Sequence, residues 1–435
     1  MDRNHVSLNI NVRGVGQSAT LATNDKVKNL TAAGKKIYNF GIGQSPFPVP
    51  TPVVDALKLY AHEKEYLPAK GLPALKEAIA SFHKAKDNID INPDYVLVGP
   101  GSKELMFLLQ LVFYGEILVP TPCWVSYVPQ ARILGKKIRL VNTSFEEKWN
   151  MTPQSLTKLL EGEHDFYRPR LLVLNYPGNP HGLTYSPDEL KEIAEIARKY
   201  EIIILSDEIY GQLHFKGGHV SIARYYPEGT IVSSGLSKWC GAGGWRLGTF
   251  SFPKELDWLL EAMAAVASET YTSVSSPIQF AAAHAFRGGL EIERYLWHAR
   301  RILSALGYDC YKILSNVGIR IHPPQGAFYL FLDFTPLEDI LFERNIKDSV
   351  TLCNRLLQET GVALIPGVEF ERPLQELTAR LSYVNFDGRK ALGASETIPL
   401  HNGLSDDFIS QTCHDTIEGT ERIAHWIGSG NFYEK

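Results

Sequence analysis

Cysteine is scarce in this sequence, and its spacing excludes two kinds of scaffold. Cys123, Cys240, Cys310, Cys353 and Cys413 are far apart, odd in number and form no C-x-x-C pair. A disulfide framework needs a dense, even set and a structural zinc site needs clustered ligands, so neither is expected, nor any other metal site. The scatter fits a reducing compartment. An excess of one charge is also missing: 44 Lys and Arg stand against 48 Asp and Glu, for a net charge of -4. No basic field draws the chain to nucleic acid and no polybasic patch draws it to a membrane. No apolar run approaches the roughly 18 residues that a membrane span requires. The opening "MDRNHVSLNINVRGVGQSA" lacks the apolar centre of a signal peptide. Repeats and low-complexity tracts are absent. The expectation is a soluble cytoplasmic protein.

What is present is ordinary globular composition, 44% apolar and 21% charged over 435 residues, enough to bury a full core and to divide into domains. From about residue 50 to 300, helical patterns such as "LPALKEAIASFHKA", "SKELMFLLQLVFY" and "SPDELKEIAEIARKY" alternate with short apolar runs such as "DYVLVGPG", "EILVPTP", "RLLVLN", "EIIILSDEIY" and "GTIVSSGLSK". Strands apolar on both sides and alternating with helices predict an α/β fold, a mostly parallel sheet covered by helices on both faces. After about residue 286 the texture changes to a smaller α+β domain, joined by the N-terminal segment. The expected division is an arm over 1–49, a large domain over 50–303 and a small domain over 304–435. The polar, Gly-rich stretch 385–407, with Asp406 and Asp407, reads as an exposed loop.

In open parallel sheets ligands bind at the carboxyl ends of the strands. Those ends carry Gly101 and Ser102, Trp124, Asn175 to Asn179, Asp207 to Tyr210, and Ser233 to Lys238. Each has a plainer account when taken alone: a surface lysine, an Asn-Pro turn, a helix cap. Together they describe one site. Lys238 follows an apolar strand, so it emerges at the rim of a buried sheet. An amine desolvated there beside another cation has a lowered pKa and is a nucleophile able to form a Schiff base. Arg246, eight positions on, is that cation and suits a phosphate. "GPGSKEL" turns a strand into a helix start whose free N–H groups suit an anion. Asp207 can pair with a protonated ring nitrogen, and Tyr210 and Asn179 can reach the same ring. Trp239, Trp245, Trp258 and Trp297 read as packing residues. Cys240 reads as inert, and His214 and His219 lie in a connecting segment.

"GLSKWCGAGGWRLG" resembles the active-site pattern of the class I aminotransferases, among the fold-type-I pyridoxal-phosphate enzymes. The similarity runs in order from about residue 18 to 384 through "NFGIGQSPFPVP", "EYLPAKGLPALKEAI", "GPGSKEL", "PTPCWVSY", "NYPGNPHG", "SDEIY", "SSPIQFAAA", "PPQGAFYLF" and "LIPGVEF...ARLSY". The resemblance implies a large cofactor-binding domain and a small domain, with pyridoxal 5'-phosphate as cofactor. It implies that Lys238 holds the cofactor as a Schiff base and shuttles the proton at the substrate Cα. Asp207 would pair with the ring nitrogen, Tyr210 and Asn179 with the ring oxygen, and Trp124 would stack on the ring. Gly101, Ser102, Lys103 (through its backbone), Ser237 and Arg246 would cup the phosphate. Tyr66 resembles the tyrosine that reaches the neighbouring subunit's phosphate in a homodimer. Arg380 would clamp the substrate α-carboxylate, where a planar fork serves best, and Gly43 would lie against it. The chain departs from the pattern at Gly235, where many relatives have serine, at "FERP", where Phe-Gly is common, and in a longer segment after Arg380.

The implied activity is ping-pong transfer of an amino group from an amino acid to a 2-oxo acid. The alternative on the same scaffold is an elimination, or an aminocyclopropane-carboxylate-synthase-like step. Trp124, Tyr127, Phe47 and Tyr271 could line an aromatic-friendly pocket or simply pack.

Overall fold

The structure is a computed structural model that describes residues 7–161 and 168–428. Residues 1–6 of the expected arm and 429–435 of the expected small domain lie outside the described residues. In chain order the strands are β1 (Tyr38–Asn39), β2 (Val96–Gly99), β3 (Glu116–Thr121), β4 (Ile138–Asn142), β5 (Arg170–Asn175), β6 (Ile203–Asp207), β7 (Thr230–Gly235), β8 (Gly248–Ser251), β9 (Tyr329–Asp333), β10 (Val362–Ala363), β11 (Ile365–Pro366) and β12 (Thr378–Ser382). Seven of them form one sheet in the order β2-β8-β7-β6-β5-β3-β4. All pairings are parallel except those of β8, which runs antiparallel to both β2 and β7. Six strands therefore point the same way, and the carboxyl ends of β2, β3, β5, β6 and β7 open on one side of the sheet. A second sheet, β11-β12-β9, is antiparallel, and β1 pairs with β10.

The large sheet is sandwiched because its strands are apolar on both faces. Leu172, Leu174 and Ile204 pack on one side against Leu190, Ile193, Ala194 and Ala197 of helix Pro187–Lys199, whereas Leu171, Val173 and Leu205 pack on the other with Leu105 and Leu109 of helix Ser102–Val112. Each fully buried Leu or Ile contributes roughly 1.5–3 kcal/mol. Helix Pro187–Lys199 starts where its sequence says: Ser186 Oγ accepts from Glu189 N at 3.3 Å and Glu189 Oε2 accepts from Ser186 N at 2.7 Å, a reciprocal cap.

Residues 385–407 are only in part the exposed loop that the sequence suggests: residues 399–405 are an exposed connection, but helices flank it. Gly388–Glu396 is a helix with Ala391, Leu392 and Ser395 buried. Asp387 caps it by accepting from Lys390 N at 3.0 Å, and Arg301 donates to Ser395 Oγ at 2.7 Å and to the Ile398 carbonyl at 2.9 Å. Its apolar stripe is short, so the surrounding Gly, Ser and charged residues hid it. Asp406 and Asp407 likewise open a helix, Asp406–Thr412, rather than a loop, with Ser405 as its cap. The expected boundary at 303/304 falls inside the continuous helix Leu290–Ser315. The segment bearing "FERP" is bound to the large sheet: Arg372 donates to the carbonyls of Thr121 and Thr143, at 3.2 and 2.9 Å, at the ends of β3 and β4.

Candidate active site

The strand ends surround a cavity of about 570 Å³ lined by Lys238, Asp207, Tyr210, Asn179, Arg246 and Arg380, and also by Gly43, Ser102, Lys103, Trp124 and Ser237. Of the residues singled out in the sequence, Gly101 lies directly beside it and Tyr66 does not reach it. Tyr66 is 89% exposed and borders a separate surface hollow.

Lys238 follows β7 and is partly buried, and its Nζ donates to the Gly43 carbonyl at 2.5 Å. Burial foremost, then the nearby Arg380 guanidinium, brings its pKa down to about 7, against the opposing pull of Asp207. Asp207, at the end of β6, is 4% exposed. Tyr127 Oη donates to its Oδ2 at 2.6 Å and Ser233 Oγ to its Oδ1 at 3.4 Å. Burial raises this carboxyl to about 6, and those donors restrain the rise. Tyr127 is thus a partner of Asp207, a role that its sequence position does not announce. Asn175 braces the same corner: its Nδ2 donates to the Asp207 carbonyl at 2.9 Å and its Oδ1 accepts from Asn179 N at 2.8 Å.

Arg380 enters from β12 and is 1% exposed. Its Nη1 donates to Asn179 Oδ1 at 3.1 Å and its Nη2 to the Gly41 carbonyl at 2.6 Å. Its Nε has no partner among the described residues. Tyr329, which the sequence reading passed over, meets Tyr210 Oη to Oη at 2.7 Å and lies under the Arg380 guanidinium, 4.9 Å from it. A Cβ at Gly43 would fall 2.3 Å from Tyr329 Oη, so Gly43 is required for the tyrosine to sit there. No charge or turn signal marks Tyr329; it reads as one more apolar residue of a strand.

On the opposite side, Gly101 has φ +94° and precedes helix Ser102–Val112. The first intrahelical donors are Glu104 and Leu105, both to the Gly101 carbonyl, which leaves the N–H groups of Ser102 and Lys103 without helical acceptors. Arg246 holds the Gly243 carbonyl at 2.9 Å and the Pro100 carbonyl at 3.3 Å. A Cβ at Gly101 would stand 2.1 Å from Arg246 Nη2, and one at Gly248 would stand 2.1 Å from Ser102 N. A Cβ at Gly235 would approach the Leu247 carbonyl oxygen to 2.8 Å, so serine does not fit there. Trp124 packs edge-on to Tyr127 at 5.3 Å, and Lys103 Nζ lies 5.2 Å from its ring centroid.

A partly buried amine of lowered pKa, a buried carboxylate, a helix start with an arginine and a buried guanidinium therefore share one cavity. The family described as "Aminotransferase class I and II" matches residues 35–386. The chain belongs to this family. It is 33% identical over 381 residues to an aspartate aminotransferase of Geobacillus stearothermophilus, covering 86% of this chain and 93% of that protein. It is 31% identical over 370 residues to an aspartate/prephenate aminotransferase of Thermus thermophilus, covering 82% and 90%. It resembles the solved structure of aspartate aminotransferase from Thermus thermophilus with maleate, with a TM-score of 0.81, 28% identity, and coverage of 96% of this chain and 99% of that one. The chain is an aminotransferase, a fold-type-I enzyme that moves an amino group between an amino acid and a 2-oxo acid. The family implies pyridoxal phosphate as its cofactor, and the elimination alternative is not favoured.

The remaining aromatic candidates separate cleanly. Phe47 is buried in the main core against Tyr295 and Phe386, and Tyr271 donates to the Val98 carbonyl at 3.2 Å. Trp239 stacks on Phe82 inside the core, whereas Trp258 and Trp297 are half exposed rather than packed. All five cysteines are free and buried. Among the described residues no helix is long and apolar enough to cross a membrane.

Proposed function

We propose that the substrate is an acidic amino acid, of the kind named for the aspartate aminotransferases that this chain resembles. The observation that carries this reading is the pair of cations in one cavity besides Lys238 and Arg246: the buried Arg380, and Lys103, which is exposed at the cavity mouth. A dicarboxylic substrate needs two such groups. Arg380 offers a planar fork to the α-carboxylate. Lys103 offers a point charge to the distal one, beside the hydroxyls of Ser18 and Thr20, which line the same cavity. Burial and the Arg246 charge lower the Lys103 pKa, so an anion there relieves a desolvated ammonium.

The residues present fit pyridoxal phosphate, because Gly101 and Gly248 let the Arg246 guanidinium and the Ser102 N–H come together at a helix start, a donor set suited to a phosphate. Ser102, Lys103 (through its backbone), Ser237 and Arg246 would hold the phosphate, Asp207 the ring nitrogen, Asn179 and Tyr210 the ring oxygen, and Trp124 the ring face. When bound, that group supplies an electron-poor ring that stabilises negative charge at the substrate Cα. The chain supplies the rest. With a pKa of about 7, Lys238 exists substantially as the free amine at neutral pH, so it would hold the cofactor and could take and return a proton at the substrate Cα. Arg380 fixes the carboxylate so that the Cα–H bond faces that amine. The exposure of Tyr66 supports a homodimer in which it completes the second subunit's phosphate site, and the five free cysteines fit a cytoplasmic setting. The working division of each subunit is 1–49, 50–303 and 304–435.

Lys103→Met tests the substrate reading. Loss of a charged hydrogen bond of ~1.5–3 kcal/mol predicts a rise of about 10- to 100-fold in KM for aspartate, with kcat/KM for alanine nearly unchanged. An equal loss for both amino acids would overturn it.

A further inference from the structure

Behind Asp207 lies a second buried carboxylate that the reaction does not touch. Glu208 follows Asp207 at the end of β6, and successive residues of a strand face opposite ways. Glu208 therefore turns to the Ser206 side, away from the cavity. Its Oε1 accepts from Ser206 Oγ at 2.7 Å, Ser221 Oγ at 2.5 Å and Tyr176 Oη at 3.5 Å. Its Oε2 meets His219 Nε2 at 2.8 Å. Glu208 and His219 are 6% and 7% exposed, so water screens neither. The Glu208 N–H donates to the Ser233 carbonyl at 3.0 Å, which ties this carboxylate to the strand that leads to Lys238.

A negative charge beside a buried carboxyl makes it harder to ionise. Asp207 carries this burden: burial is the main reason its carboxyl is raised, and the Glu208 charge adds to it. A cation on Glu208 removes that addition. Burial alone would keep the His219 ring neutral, but the Glu208 carboxylate overrides it and raises the ring above its ordinary value. The other charges near His219 compete with one another. Asp87 pulls the ring toward protonation but is engaged by His83 at 2.8 Å, and Arg224 opposes it while its Nε binds the Asp87 carbonyl. His214 is also near, and burial holds it neutral with a pKa of about 4. His219 Nδ1 has no partner among the described residues, so the contact with Glu208 decides the state of the ring.

We propose that His219 is the counter-cation of Glu208 and, through it, a positioning residue for the cofactor: by cancelling the charge behind Asp207, it leaves Asp207 ionised for the ring nitrogen. This rests on the reading that Asp207 receives that nitrogen.

The test is a charge cycle read by cofactor affinity rather than turnover. Apo-protein carrying His219→Gln, Glu208→Gln or both is titrated with pyridoxal phosphate near pH 5, below the Asp207 value of about 6, so that a change of one unit reads out as a full tenfold, alongside wild type and Asp207→Asn. Glutamine can still donate to Glu208, so His219→Gln removes chiefly the charge. It is expected to weaken binding about tenfold, the equivalent of one pKa unit at Asp207. The double variant is expected to return to within about threefold of wild type, because both charges are then gone. Glu208→Gln alone is expected to bind at least as tightly as wild type. A double variant as weak as or weaker than His219→Gln would mean that the pair is structural and would overturn the proposal, as would a tenfold loss in Glu208→Gln alone. Equal affinity of wild type and Asp207→Asn would sink the Asp207 reading itself, and the proposal with it.

Discussion

Replacing Lys238 with methionine should relieve the cofactor-free protein of a charge-burial penalty that is largest at neutral pH and shrinks as the pH rises. An amine with an ordinary pKa of 10.5 is held at about 7 in the folded chain. Between those values the unfolded chain binds more protons than the folded one, so the penalty is complete below about pH 7 and vanishes above the unfolded value. At ~1.4 kcal/mol per unit the full penalty is about 5 kcal/mol; it is about 4 kcal/mol near pH 7.5 and about 1.5 kcal/mol near pH 9.5. Methionine fills similar volume without a charge. It leaves the Gly43 carbonyl without its donor, which costs ~1–3 kcal/mol at either pH. The clean quantity is therefore the change in the gap, about 2.5 kcal/mol between those two pH values. Urea unfolding of cofactor-free wild type and Lys238→Met at both pH values measures it; stripping the cofactor matters because a ligand would stabilise only the chain that binds it. A gap that stays constant with pH would refute the claim that burial and Arg380 depress this amine.

Two substitutions probe the anion sites. Gly101→Ala places a Cβ 2.1 Å from Arg246 Nη2 at a residue with φ +94°, so pyridoxal-phosphate affinity should fall by at least about tenfold, and the urea midpoint should fall too, by the equivalent of ~1 kcal/mol or more, because a Cβ is strained at that φ even if the exposed arginine gives way. Arg380→Lys keeps the charge but cannot hold Asn179 Oδ1 and the Gly41 carbonyl while also gripping a carboxylate. Steady-state kinetics should show kcat/KM for aspartate lowered by about 100-fold or more, the loss of one or two charge-assisted bonds.

Much of this was legible because parallel strands buried on both faces appear as continuous apolar runs, and ligand chemistry collects where such runs stop. Asp207, Asn179 and Lys238 each end or closely follow a strand, so their positions followed from the run lengths. Strand β8 was harder. Its four residues Gly248–Ser251 carry no sign of direction, and only pairing with β2 and β7 makes them antiparallel. The helix Gly388–Glu396 hid because few apolar residues in a short element leave almost no period. Tyr329 and Tyr127 hid for another reason: their hydroxyls act only on groups more than 80 residues away or nearly so, on Tyr210 and Asp207, and no local pattern encodes that meeting.

The cavity gathers four cations, Lys238, Arg380, Lys103 and Arg246, against the single carboxylate Asp207, in a chain whose net charge is -4. Without ligands such a cluster is unfavourable: desolvation foremost, then the neighbouring cations, lowers the pKa values of Lys238 and Lys103. A phosphate at the helix start and two carboxylates of a substrate supply the missing negative charge. Binding energy then comes from relief of repulsion already present in the fold. The Glu208 charge works the other way: uncompensated, it adds to the rise of the one carboxylate that the cations and the ring nitrogen both need. The histidine in the connecting segment 211–229 is therefore part of the site's charge balance, although it lies outside the cavity and touches no ligand.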